Sequence, residues 1–410
     1  MKKGVVLLLF ISLITVLSFA GVNIEFWHYW DGANGDKLEE LVETFNEAHP
    51  DITIEPIFIP GSSIVTKIQT ASLSGRTPAL AISDIIKISL IAETGQLVDL
   101  KPFIAKDDYS IDDFYEELLV YGQRGNQLVS LPVSSSNLGL FWNKRLFKEA
   151  GLDPEKPPKT WEELVEYSEQ IKEKTGKIGY ELYTQGGEGT TWQWQVFLWG
   201  AGGEFLDPVT NYQKAAFNSE AGRKALQFWY DLIHEYEVSS ISPWGLFGRG
   251  EAAMVMDGSW MVQFFPMQVD FELGAAVFPH PEDGVPATNM GGEQIFVFNK
   301  SEEEKQAAWE FIKWFTGKDI QIEWDKATGF IPVKKSVAND DGYVAYIKNT
   351  KRLLLPFVES GKYANARPPI NEYPEISDIF SKEILKALHE RMSVEEALES
   401  AEALVNDILK

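Results

Sequence analysis

The sequence predicts an α/β protein of more than one domain, and three observations predict it. The chain of 410 residues is longer than one hydrophobic core ordinarily holds. Strand-like and helix-like hydrophobic patterns alternate along it, the signature of a mostly parallel sheet with helices on its faces. Its composition is globular throughout, 44% hydrophobic and 24% charged without low-complexity tracts.

The elements follow in order. Lys2 and Lys3, the apolar run from Val5 to Leu17 and the small residues of Ser18-Phe19-Ala20 read as a signal peptide cleaved before Gly21. The run is short for a membrane span, and the cysteine of a lipid anchor is absent. These features predict a free extracytoplasmic protein, in the periplasm. NIEF (Asn23 to Phe26) reads as a strand, and GDKLEELVETFNE places Leu38, Leu41, Val42 and Phe45 on one helical face. ITIEPIFI, a helical pattern from Ile64 to Leu73, and ALAIS up to Ser83 complete a β-α-β-α-β run. LVSLPVSSSNLGLFWNK, from Leu128 to Lys144, interrupts two strands with Pro132 and three serines and reads as a crossover between two lobes.

A second αβ region follows. Thr160-Trp161-Glu162-Glu163 reads as a capping box, Ile178 to Tyr183 as a strand, and the glycine-rich QGGEG leads into TTWQWQVFLWGAGG. Ser219 starts a helix, AAMVMDGSW is a strand followed by a turn and a helix start, and GGEQIFVFN resumes a strand. Ser301 and Ser393, each with glutamate three residues on, open two further helices.

Composition excludes several chemistries. With no cysteine there is no thiolate catalysis and no Cys-ligated metal site, and the five histidines lack short metal-ligand spacings, so neither metal nor cofactor is expected. A net charge of −24 argues against nucleic acid. No phosphate-cradling glycine motif follows a strand, and the serine of DGSWM lacks the nucleophile-elbow pattern.

The aromatics carry the functional signal. FWHYWDG, four of seven residues aromatic, sits where the first strand ends, and ligands of such sheets bind beyond the carboxyl ends of strands. Trp27, Trp142, Trp161, Trp199, Trp229, Trp309 and Trp314 fall in patterns that predict packing. Tyr29 and Trp30 in the loop, Trp192 and Trp194 after the glycine-rich loop, and Trp260 after Asp257-Gly258 are the cleft candidates. Flat rings beside carboxylates and hydroxyls suit a sugar, which offers apolar C–H faces to stack and hydroxyls to bond. Asp31 and Asp84 are the acids placed to accept those bonds.

The stretch NKRLFKEAGLDPEKPPKTWEELVEYSEQIK, together with SGRTPALAISD, WGAGGEFLD, GEAAMVMDGSW, NMGGEQIFVFN, TGFIPV and ARPPINEYPEISDIFSKEILKAL, resembles the family-1 extracellular solute-binding proteins of ABC importers. The resemblance covers nearly the whole chain after residue 20. It implies a type II periplasmic binding fold: two αβ lobes, three hinge segments and a ligand cleft between the lobes. It divides the chain into a first lobe of residues 21–131 plus 293–360 and a second of 136–287 plus 370–410, with hinges at 132–135, 288–292 and 361–369. It implies ligand contacts at Asp31, Asp84, Trp192 and Trp260, and at the crossover serines Ser135 and Ser136. Glycerol-phosphate binders of the family add Ser259, Gly292 and Arg367. Their tyrosine after a Gly-Ser pair is Ser63 here, and that of their TGY-type motif is Phe330, which disfavours glycerol phosphate.

The expected protein is a monomeric receptor, not an enzyme, that hands a carbohydrate, in all an oligosaccharide, to a membrane permease. The alternatives are a glycerol 3-phosphate or glycerophosphodiester receptor, a glycoside hydrolase, for which no carboxyl pair is marked, and a protein-binding scaffold of the cell envelope.

Overall fold

The hydrophobic alternation resolves into two separate open sheets in the computed structural model, which describes residues 21–410. In the first sheet the strands run in the order Ile52–Phe58, Val22–His28, Leu80–Asp84, Gly291–Val297 and Leu131–Ser136. The first three are parallel, and Gly291–Val297 lies antiparallel to both of its neighbours. The second sheet has the order Leu273–Ala276, Leu138–Asn143, Ala252–Gly258 and Ile178–Glu181, with only the last pair parallel. The sheets are therefore more mixed than a β-α-β reading predicts, because strands entering from the other lobe pair in the reverse direction. Pro132 is tolerated because its strand is the edge of the first sheet, where a missing N–H faces no partner.

The helices follow their patterns. Gly32–Ala48 buries Leu38, Leu41, Val42 and Phe45. Ser301 and Ser393 form complete capping boxes with Glu304 and Glu396. At Thr160 only half of the expected box forms: its side chain accepts from Glu163 N, while the Glu163 carboxylate accepts from Lys159 N instead.

Each sheet has its own core. Trp30, Trp309 and Trp324 pack in the first and Trp161, Trp194 and Trp229 in the second. The segment from Asp341 to Ser360, expected with the first lobe, divides: the helix Asp341–Asn349 packs on the first-lobe helix Lys318–Thr328, while Leu354 and Phe357 join Phe141 and Val255 of the second sheet in one cluster. The Phe141 and Phe357 rings are 5.3 Å apart.

The chain passes between the sheets at narrow points. Asn137 alone separates the strands Leu131–Ser136 and Leu138–Asn143. It is fully buried; its Nδ2 donates to Phe357 O at 2.8 Å and to Ser360 Oγ at 3.1 Å. The other crossings, Thr288–Asn289 and Ala364–Asn365, pair with each other in parallel. Three short connections side by side leave a groove between the lobes along which side chains from both sheets converge.

Candidate functional site

The first sheet delivers Asp84 to the groove at the end of Leu80–Asp84. Its Oδ1 accepts from Ile86 N at 3.0 Å, capping the turn that follows, and from Arg367 Nη2 at 3.2 Å. Arg367 follows the third crossing and is 1% exposed. Its Nη1 donates to Glu188 Oε1 at 2.7 Å, in the first turn of the helix Gly187–Gly200 of the second lobe. One guanidinium thus joins an acid of each lobe. Glu188 also accepts from Tyr373 OH at 3.3 Å and from Ser377 Oγ. Burial would lower the arginine's proton affinity, but the charges of Asp84 and Glu188 outweigh it and hold the group charged. Burial raises the Glu188 carboxyl, against the pull of Arg367.

The same guanidinium lies 5.1 Å from the ring centre of Trp192. Trp192 and Trp260 are nearly parallel, their ring centres 5.6 Å apart and their planes 12° apart. Two glycines make room for them. A Cβ on Gly258 would stand 2.1 Å from the Trp260 ring, and one on Gly291 would stand 2.9 Å from Trp192. Gly292, at φ 136° and with Ser134 O 2.2 Å from any Cβ, is a position that only glycine occupies without strain.

Tyr29 reaches across from the end of the first strand. Its hydroxyl donates to Glu293 Oε1 at 3.1 Å, and Ser134 Oγ donates to the other oxygen of that carboxylate. Burial, with the nearby Asp84 charge, pushes Glu293 up to about 8. Its ordinary value is near 4.5, so the folded state binds the extra proton between about pH 4.5 and 8, and stability contributed here falls as pH rises through that window. Glu293→Gln is expected to remove that part of the slope, about 1.4 kcal/mol for each unit of displacement. Chemical denaturation across the window checks it; an unchanged slope would mean that Glu293 titrates normally.

The second sheet adds a cavity of about 540 Å³ beside the tryptophan pair. Tyr183 and Trp244, with ring centres 4.9 Å apart, line it together with Glu181, Gln193 and Asp257. Glu181 is occupied: its two oxygens accept from the backbone N–H groups of Gly245, Leu246 and Phe247 at 2.6, 2.8 and 2.7 Å. That carboxylate holds the loop carrying Trp244.

Of the residues expected at the site, Asp84, Arg367, Trp192, Trp260 and Tyr29 come together, with Gly292 and Ser136 on the adjoining strands. Others lie elsewhere. Trp30 is buried in the first core, 4.6 Å from Trp324 and near Phe315 and Phe330. The strand end turns its ring inward beneath the helices. Trp194 is fully buried against Phe380 in the second core, since two residues along a helix from Trp192 is the far face. Asp31 is exposed at the N-cap of Gly32–Ala48 and makes no side-chain capping bond. Ser63 is exposed on the helix Gly61–Ser74, beside a surface depression bordered by Trp27. Ser259 is fully buried, and its hydroxyl has no partner among the described residues. Ser135 and Ser136 border a second cavity of about 480 Å³ at the crossings, with Tyr115, Met290 and Ile331.

Sequence reasoning missed Glu188, Glu293, Tyr183, Trp244, Gln193 and Asp257. The last stood in the quoted Asp-Gly turn, and Trp244 in a Pro-Trp-Gly loop; both carried a local signal. Among the described residues no cluster of histidines and acids could hold a metal ion, and no helix is long and apolar enough to cross a membrane.

Comparisons with known proteins agree with this fold. A model of the bacterial extracellular solute-binding proteins matches residues 29–322. The crystal structure of the cyclic alpha-maltosyl-1,6-maltose binding protein from Arthrobacter globiformis is similar with a TM-score of 0.87 and 44% identity, over 95% of this chain and 99% of that one. Maltose-bound MalE3 of T. maritima is similar with a TM-score of 0.80 and 25% identity, over 94% of this chain and 99% of its own. The sn-glycerol-3-phosphate-binding periplasmic protein UgpB of Salmonella typhimurium is 26% identical over 96% of this chain and 94% of its own length.

Proposed function

The chain belongs to the bacterial extracellular solute-binding proteins that serve ABC importers, and we propose that its own ligand is an oligosaccharide, an α-glucan of a few units, held in the groove between the lobes. The observation that carries this is the state of Arg367. Both of its terminal nitrogens are engaged by carboxylates, and it is buried. Beside it stand two near-parallel indoles and further acids. An anion entering here would meet Asp84, Glu188 and Glu293 with their one cation already paired. A neutral ring with hydroxyls to donate meets acceptors and flat apolar walls.

The glycerol-phosphate reading draws on UgpB, but it would require Arg367 to exchange a carboxylate for the phosphate. The solved relative of highest identity among those described above is a cyclic maltosyl-maltose binder, which makes that tetrasaccharide the first ligand to try.

In this reading the lobes close on the sugar because the closed form contacts it from both sides, and differential affinity drives the closure. Residues 352–360 would move with the second lobe, since they pack on its sheet, while 341–349 stay with the first-lobe helices they contact. The remaining divisions follow the expected lobes, with hinges at the three crossings. The protein would act as a monomer in the periplasm after loss of residues 1–20, would deliver its ligand to a membrane permease, and would perform no catalysis.

A thermal-shift panel tests the reading. Cyclic α-maltosyl-1,6-maltose, maltose, maltotetraose and glycerol 3-phosphate are each added to the purified protein. A ligand that binds only the folded state raises the melting temperature by mass action. At least one glucan is expected to raise it and to be recovered chemically unchanged, while glycerol 3-phosphate leaves it where it was. A shift with glycerol 3-phosphate alone would reverse the assignment.

A further inference from the structure

We propose that Asp257 is the specificity-determining carboxyl of a subsite on the second sheet, accepting a hydroxyl hydrogen bond from a sugar ring enclosed by Tyr183, Trp244 and Trp260. The proposal rests on the oligosaccharide reading and adds a contact to the same cleft.

The cavity of about 540 Å³ lies within the range of small-molecule sites, roughly 300–1,000 Å³. Asp257 stands at the end of the strand Ala252–Gly258 and is 9% exposed. Its Oδ1 accepts from the next residue's N–H, Gly258 N, at 2.7 Å. Among the described residues no donor reaches Oδ2, whereas the neighbouring acid Glu181 has both oxygens filled by backbone N–H groups. Two acids border one cavity, and only Asp257 keeps an oxygen that accepts nothing from the described residues.

A second observation points the same way. Gln193 lines this cavity; its Nε2 donates to Met256 O at 3.0 Å, while its buried Oε1 has no partner among the described residues. Buried acceptors are ordinarily paired, and a ligand hydroxyl is the donor that this cavity lacks. The aromatic pair Tyr183 and Trp244 on one side and Trp260 on the other supply the apolar surface against which a pyranose stacks.

The charged and titratable groups facing Asp257 are Glu181 on the adjacent strand and Tyr183 just beyond it; no lysine or arginine lines the cavity among the described residues. Burial, with a smaller contribution from Glu181, pushes Asp257 up to about 7. A hydroxyl that donates to Asp257 favours the ionised form, so binding releases a proton and tightens as pH rises through that value. Glu293, on the first sheet, also titrates near this range; the part of the pH dependence due to Asp257 is the part that vanishes when Asp257 alone is replaced.

Calorimetric titration of cyclic α-maltosyl-1,6-maltose and maltotetraose into the wild type, Asp257→Asn and Asp257→Ala, at about pH 5.5 and about pH 8, tests it. Asp257→Ala is expected to raise Kd at least about tenfold at the higher pH. Asp257→Asn, the same shape without the ionisation, is expected to melt at or above the wild-type temperature and to lose most of the tightening with pH. If the wild type binds a glucan and both variants match its Kd and its pH dependence, Asp257 is a core residue and the proposal is overturned while the oligosaccharide reading stands. If the wild type binds neither glucan, both are overturned.

Discussion

Arg367→Ala is expected to destabilise the folded protein by about 3 kcal/mol, the lower end of the cost of breaking a buried ion pair, because Asp84 and Glu188 keep 38% and 28% of their side-chain exposure. The substitution removes the guanidinium that bonds to Asp84 and Glu188 and leaves those acids near Glu293. Glu188 and Glu293 already sit above their ordinary range because they are buried. Without the arginine they rise further, so the folded state binds more protons than the unfolded chain. The loss should therefore shrink as the pH is lowered toward about 5. Arg367→Lys keeps the charge but cannot bridge two acids with a planar fork, and should fall between wild type and alanine. Urea denaturation at two pH values measures this. A variant within about 1 kcal/mol of wild type, with no pH dependence of the difference, would show that the guanidinium ties nothing together.

Trp192→Ala and Trp260→Ala are each expected to weaken glucan binding at least about tenfold, since each removes a large aromatic surface from the groove. The two should differ in their side effects. Trp260 lies over Gly258, where no side chain competes for its place, and is only partly buried, so its loss should leave stability close to wild type. Trp192 lies under the Arg367 guanidinium and against Gly291, so its loss also uncovers the ion network. Trp260→Phe should recover part of the affinity. Calorimetry beside thermal melting separates lost contact from lost fold; unchanged affinity in both alanine variants would remove the tryptophan pair from the site. Asp84→Ala is a less clean probe, because it takes a partner from Arg367 along with any ligand contact.

The alternation of patterns located most strands of the two sheets and several of the longer helices, because each buries one face and must repeat with the period of its backbone, while the helices Lys144–Ala150, Lys318–Thr328 and Asp341–Asn349 went unread. What it could not show is direction. Gly291–Val297 reads as one more strand, yet its antiparallel place between Leu80–Asp84 and Leu131–Ser136 depends on where the chain has returned from. The packing of Phe357 on Phe141 escaped for the same reason: an apolar helix does not state which sheet it covers.

At the site, the legible residues were those with a local mark, such as Asp84 at a strand end or Trp260 after an Asp-Gly turn. Trp30 and Trp194 bore similar marks and proved to be core, since one residue of rotation on a strand, or two on a helix, turns a ring from groove to interior. Arg367 was reached only through resemblance. Its importance lies in two partners, Asp84 and Glu188, far away in sequence, and no spacing rule connects them.

The central claim is that the groove takes a neutral oligosaccharide rather than an anion. Calorimetric titration of the wild-type protein with cyclic α-maltosyl-1,6-maltose, repeated in the presence of excess glycerol 3-phosphate, tests it most directly. The account predicts saturable binding of the sugar, with an affinity the phosphate does not alter. Saturable binding of glycerol 3-phosphate that displaces the sugar, or takes place where no sugar binds, would contradict it.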